Sequence, residues 1–262
     1  MHIMFTDETN TRPAKDGKFF VYGGLFFSVE NLPKLHDEIE KTKTEAGYKS
    51  GDIFKFDTRA RPEHVTIEKA TEAKQKVVAL CKDMGCKFIA HIILHDIIQN
   101  QDPVQQVRWA ADYVIGRYHK YLMEVNDVGM VAMDNLPNGT EFQYLTDKFS
   151  SGLTLPSDER VSLERILLYT STRIGASNVH SAMDIILGSF RYVINNPANI
   201  KAATVMIKQV SDMMWAAEKD GVRYLGDRGL IVRPKLDGIR KAEYRNEYTE
   251  LLKRLDELTN SK

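Results

Sequence analysis

Cysteine is scarce in this chain. Cys81 and Cys86 are the only two, five positions apart, with no companion pair that would complete a Cys-rich metal site. They read as free thiols of a reducing cytoplasm, not as a disulfide framework. An excess of charge of one sign is missing as well: 36 Lys+Arg balance 36 Asp+Glu. That argues against a protein that grips nucleic acid by bulk charge, although a local basic surface is compatible with a neutral total. No apolar stretch approaches the ~18 residues of a membrane span. Asp7 interrupts the N-terminal apolar run too early for a secretory leader, so a cytoplasmic protein without membrane association is expected. The sequence has no Walker loop, no GxSxG, no GxGxxG, no internal repeat and no low-complexity linker.

What remains is an ordinary globular composition. The 262 residues are 43% hydrophobic and 27% charged, enough to bury a real core in one large domain or two small ones. HIMFTD (2–7) and KFFVYGGLFFSV (18–29) read as strands, with NTRPAKDGK between them as a hairpin-like turn. A helix is expected from 30 to 47, with Asn31 as cap and Pro33 in its first turn. DIFKFD (52–57) reads as a short strand or loop, 63–84 as a charged amphipathic helix, and CKFIAHIIL (86–94) as a central strand. Asp102-Pro103 opens another helix, with Val104, Val107, Ala111, Val114 and Tyr118 on its buried face. VGMVAMD (128–134) is again an apolar run ending in a carboxylate, and LPNG follows it as a turn. A short helix (140–149), a strand (164–171) and a long apolar helix (178–195) complete this part. Beyond residue 199 the pattern is helix, a Gly- and Arg-containing patch, then a charged terminal helix. Strands first and then alternating with helices imply a mixed α/β sheet covered by helices.

Asp7, Asp134 and Asp184 share one feature: each interrupts a strongly apolar segment. Burying a carboxylate without a partner is expensive, so each is either solvated at an element's end or bound to something positive. A lone Asp at a strand end serves as a turn or cap. Two strand ends side by side, with a helix across them, would instead bring all three to one cation. Convergent carboxylates favour hard ions such as Mg²⁺ or Mn²⁺. Two such ions a few Å apart support phosphodiester cleavage.

Several short motifs are similar to those of the domain-of-unknown-function 3800 family. They are the opening strand with Asp7-Glu8-Thr9 and its FFVYGGLFF partner, then GDIFKF (51–56), VAMDN (131–135) and SNVHSAMDIILG (177–188). The resemblance spans about residues 1–195 in the family's order. Members are bacterial and phage proteins, which implies a role in phage defence or a mobile element. It also implies a ribonuclease-H-like mixed β-sheet flanked by helices over 1–198, with 199–262 as a helical C-terminal extension packed on the same domain. The implied activity is metal-dependent cleavage of DNA or RNA, with two Mg²⁺ or Mn²⁺ ions held by Asp7, Glu8, Asp134 and Asp184. Lys55 would position phosphate or stabilise the leaving group. Some positions depart from the family. Asn10 stands where Gly is usual, Ser181 where Gln is, and Met183 replaces a small residue. Ile53 or Asp52 takes the place of the acid before Lys55. The retained acids favour the enzyme; the lost Gly and Gln favour a catalytically degenerate binding or assembly module. A hydrolase acting on a nucleotide is a third reading.

Other candidates have plainer explanations. His91 and His95 lie four apart in a strand-like run, about 13 Å from each other and too far to share an ion. His180 and Asp184 have the same spacing on a helix and are able to meet, which would bring His180 to a phosphate or a metal-bound water. Lys55, Arg59 and Arg61 surround a loop, as phosphate-binding groups or as a solvated basic surface. Between 219 and 245, eight basic residues outnumber four acidic ones. Arg233, Lys235, Arg240 and Lys241 are its expected nucleic-acid contacts, with Tyr224 and Tyr244 available to stack on bases.

Overall fold

Phe19 to Phe27 contain no charged side chain, so this segment has no face to offer water and should lie between two neighbours. In the computed structural model, which describes residues 1–9, 17–136, 139–154, 160–196 and 200–260, it does. The side chains at 200–206 and 258–260 are outside the description. So are Asn10, most of the 10–18 turn and part of the LPNG turn.

The chain runs β1 (His2–Thr9), β2 (Phe19–Ser28), α1 (Leu32–Glu45), α2 (Ile67–Asp83), β3 (Lys87–Leu94), the short α3 (His95–Ile98), α4 (Pro103–Glu124) and β4 (Gly129–Asp134). Then follow α5 (Glu141–Ser151), β5 (Leu153–Thr154), β6 (Arg160–Val161), β7 (Ile166–Thr172) and α6 (Asn178–Asn195). The last part comprises α7 (Ile200–Met213), β8 (Ala217–Lys219), β9 (Val222–Tyr224), β10 (Leu230–Val232) and α8 (Ala242–Asn260). Six strands form one sheet in the order β10-β3-β2-β1-β4-β7. Only β2 is reversed; the others run parallel to one another. Their C-terminal ends therefore share one edge of the sheet.

Alternation of side chains sends successive residues to opposite faces. On one face Met4, Phe20, Phe26, Ile89 and Val131 pack against Val107, Val114 and Tyr118 of α4. On the other, Ile3, Phe5, Phe27 and Ala132 pack with α1, α2 and α6, a core that continues to Tyr248 of α8. Asp102 caps α4, accepting from the amides of Val104 and Gln105, as its sequence implies. Asn31 does not cap α1: its side-chain amide donates instead to the Met84 carbonyl, tying α1 to the end of α2. Residues 52–57 form no strand and lead into a single 3₁₀ turn at Thr58–Ala60. Beyond residue 198 the expected helices are present as α7 and α8, and the segment also supplies β10 to the sheet edge. Among the described residues, no helix is long and apolar enough to cross a membrane.

Candidate metal centre

Strand register places the first two acids. Thr6 pairs with Met133 across the parallel β1–β4 ladder. One residue further on each strand, Asp7 and Asp134 stand side by side, both on the α6 face. Asp7 is only 6% exposed. Opposite it on β2 is Gly23, where a Cβ would press into Leu187 and Met183 of α6 and into Phe88. The bare backbone lets α6 lie close against the sheet. Ser177 caps that helix through the Val179 amide, and His180 and Asp184 follow one turn apart on its sheet-facing side. A second close approach sets the other wall. A Cβ on Gly188 would overlap the ring of Phe56. Its absence lets the 52–57 segment reach α6, where the Phe56 amide donates to Asp184 Oδ2 at 2.6 Å and Lys55 stands next in the chain.

The tightest group consists of Asp7, Asp134 and His180, each offering one atom within 4.8 Å of the others. His180 Nε2 lies 3.8 Å from Asp134 Oδ1, and the ring is fully buried against Phe5. Neither of its nitrogens has a hydrogen-bond partner. Burial holds the imidazole below its ordinary pKa, and Lys55 works in the same direction against the pull of Asp134. Asp7 accepts the Glu8 amide at 2.8 Å. Burial raises its pKa well above the usual carboxylate range, and the charges of Glu8, Asp134 and Asp184 add to the rise. Glu8 is pushed up to about 7, by burial and then by Asp134. Asp184 is raised by burial, and Asp134 adds to the rise; the Phe56 amide and Lys55 oppose it. Glu8 and Asp184 thus lie outside the tight group but within electrostatic reach of it.

This donor set fits a divalent cation. Two carboxylates and a neutral imidazole converge, acids crowd around them, and a buried ring nitrogen lacks any other partner. Asp134 keeps its side chain 25% exposed, which leaves a way in.

The remaining candidates fall elsewhere. Asp52 binds the Lys49 amide and His64, as a turn residue does. Arg59 pairs with its neighbour Asp57, and Arg61 donates to the carbonyls of Thr58 and Val65. His91 stacks on Tyr113, while His95 starts α3 beside Phe20, so the two do not form a site. Arg233 follows β10, three strands from β1 and so roughly 14 Å along the edge. Its guanidinium packs over Tyr113 of α4, on the face opposite α6, and pairs with Asp227. Lys235 reaches the same Asp227; Arg240 and Lys241 are exposed. Sequence reasoning missed Lys74, whose Nζ donates to the Phe56 carbonyl and Thr58 and whose charge reaches Asp184. Nothing distinguishes it in the lysine-rich EKATEAKQK. Sequence spacing places His180 beside Asp184; in space it stands nearest Asp134 Oδ1, at 3.8 Å.

Neither family models nor curated proteins give a match to the chain. Among solved structures it is similar to the ribonuclease HII of the PCNA:RNase HII complex from Archaeoglobus fulgidus, at 10% identity and TM-score 0.41, over 73% of each chain. It is also similar to Bst-RNase HIII, as a mutant protein at 9% identity and TM-score 0.36, over 78% of this chain and 64% of that one. In complex with Mn²⁺ the same enzyme aligns at 7% identity and TM-score 0.36, over 79% and 64%. The expected mixed β-sheet flanked by helices is the one observed.

Proposed function

We propose that the chain is a metal-dependent nuclease cleaving phosphodiester bonds of DNA or RNA. The observation that carries this reading is the meeting of Asp7, Asp134 and His180 at the C-terminal edge of β1 and β4. Asp184 and Glu8 flank the group and would complete a two-ion site for Mg²⁺ or Mn²⁺. When bound, such ions supply an activated water and charge stabilisation for the leaving oxygen. The chain's own residues do the rest. Asp7 and Asp134 fix the position of positive charge between two rigid strands. The Phe56 amide holds the rotation of the Asp184 carboxylate. Lys55, close enough to act on both Asp184 and His180, presents a cation to the non-bridging oxygens of a phosphate.

The test is a panel of labelled single- and double-stranded DNA, RNA and hybrid, incubated with Mg²⁺ and with Mn²⁺. Cleavage is expected, and Asp7→Asn and Asp134→Asn should abolish it while leaving the circular-dichroism spectrum and nucleic-acid binding unchanged. Binding without cleavage across the panel would replace this reading with the degenerate binding module. Neither binding nor cleavage would point to a nucleotide-sized substrate.

A further inference from the structure

We propose that His180 is a direct metal ligand and that it makes the centre prefer an imidazole-accepting first-row ion, represented by Mn²⁺, over Mg²⁺. This rests on the metal reading above and goes beyond it, because the resemblance implies carboxylate ligands alone.

Three observations converge. The ring is fully buried and both of its nitrogens lack partners, although leaving a buried polar group unsatisfied is costly. Its Nε2 stands 3.8 Å from Asp134 Oδ1, too far for a hydrogen bond between them. That gap lies at the upper end of the spacing of two donors on one ion: ligands about 2.0–2.2 Å from a metal, at 90–120° to each other, sit roughly 2.8–3.8 Å apart. Asp7 offers a third atom inside the same 4.8 Å group. Packing against Phe5, at 6.2 Å between ring centroids, holds the imidazole in place without a hydrogen bond at Nδ1.

Selectivity follows from ligand chemistry. Mg²⁺ seeks oxygen donors in near-ideal octahedra and gives up its waters reluctantly; Mn²⁺ also favours oxygen but stands, at the weak end, in the first-row series that binds sites containing nitrogen. A centre with one buried nitrogen donor therefore loses more by taking Mg²⁺ than a centre of carboxylates alone.

The test uses the full chain and Mn²⁺ itself. Pulsed electron paramagnetic resonance of the Mn²⁺-loaded protein should show coupling to a ligating nitrogen. Titration calorimetry should give tighter binding of Mn²⁺ than of Mg²⁺. His180→Gln should remove the coupling and weaken Mn²⁺ about tenfold or more, leaving Mg²⁺ within about twofold. Because His180 is buried, this variant is liable to unfold. The anomalous signal of Mn²⁺ in wild-type crystals, about 2.0–2.2 Å from Nε2, reads the same contact without mutation. Mn²⁺ bound between Asp7 and Asp134 with no nitrogen coupling and no ion at Nε2 would overturn this inference and leave the nuclease reading standing. Absence of any Mn²⁺ or Mg²⁺ binding would overturn both.

Discussion

A carboxylate at the end of an apolar strand is ambiguous by itself, and its neighbours decide. Asp7, Asp134 and Asp184 were legible because each places a charge in a segment that otherwise avoids it. His180 was legible only as a partner of Asp184 on the same helix, because its approach to Asp134 exists only once α6 packs on β1 beside β4. Crowding of the acids has a measurable consequence. Glu8 titrates at about 7 in the folded protein against an ordinary 4.5, so its ionisation opposes folding. A raised folded-state pKa gives stability that is complete below about 4.5 and is lost as pH rises through about 7. Asp7 and Asp184 are raised too and act in the same sense. Buried His91, His95, His119 and His180, each held below the ordinary imidazole pKa, act in the opposite sense, so the acids' share is read as a difference. Relative to Glu8→Gln, the metal-free wild type should lose melting temperature between about pH 5 and about pH 8, and millimolar Mn²⁺ should recover the loss at the higher pH. Differential scanning calorimetry of the two metal-free proteins measures that difference. Asp134→Asn should remove the response to Mn²⁺. A difference between wild type and Glu8→Gln that stays constant or reverses from pH 5 to pH 8 would contradict this account of the crowding.

At the scale of elements, long segments with strong patterns were readable. β2, β3, α4 and α6 stand where the sequence places them because their apolar residues follow one period over many positions. β10 has three residues, and its membership of the sheet depends on a partner, β3, that lies well over a hundred residues earlier. No local signal carries that pairing. Residues 52–57 resemble a strand in composition, yet their role is to pass over α6 at Gly188. This approach positions half of the site. A methyl at 188 would overlap the Phe56 ring, and forcing extra volume into packed contacts costs about 1–3 kcal/mol. Gly188→Ala is thus expected to lower the melting temperature by a few degrees. It should also slow cleavage, because moving Phe56 breaks the hydrogen bond that its amide donates to Asp184 and shifts Lys55. Adding Phe56→Ala to Gly188→Ala makes room for the methyl, so the double variant should cleave faster than Gly188→Ala alone. Equal melting and cleavage for Gly188→Ala and wild type would mean that the approach does not position the segment.

For the whole molecule, the basic excess between 219 and 245 is largely used inside the protein. Arg223 pairs with Asp212 and donates to the Met214 carbonyl, and Arg228 pairs with Glu124 over the Trp215 ring. Arg233 is held by Asp227, the Val232 carbonyl and Tyr113. A count of charges along the sequence cannot see these partners, which come from α4, α7, the turn before β10 and the end of that strand. Lys235, Arg240 and Lys241 remain exposed and able to meet phosphates. The eight-residue patch therefore divides into residues that build the sheet edge and residues that face outward. Arg233→Ala should lower the melting temperature, because it leaves Asp227 without one of its cations and uncovers Tyr113. Its effect on nucleic-acid affinity should be small when measured well below that temperature. Replacing Lys235, Arg240 and Lys241 with Ala together should lower melting less than Arg233→Ala does, because the Lys235–Asp227 pair is exposed to solvent. If nucleic acid passes over this edge, the triple variant's affinity should fall, and each lost phosphate contact should flatten the plot of log affinity against log salt by about 0.7–0.9. Fluorescence anisotropy across a salt series measures both quantities. An unchanged slope in the triple variant would move the nucleic-acid path away from β10, towards the loop that carries Lys55, Arg59 and Arg61. Those three are then the residues whose replacement should flatten it.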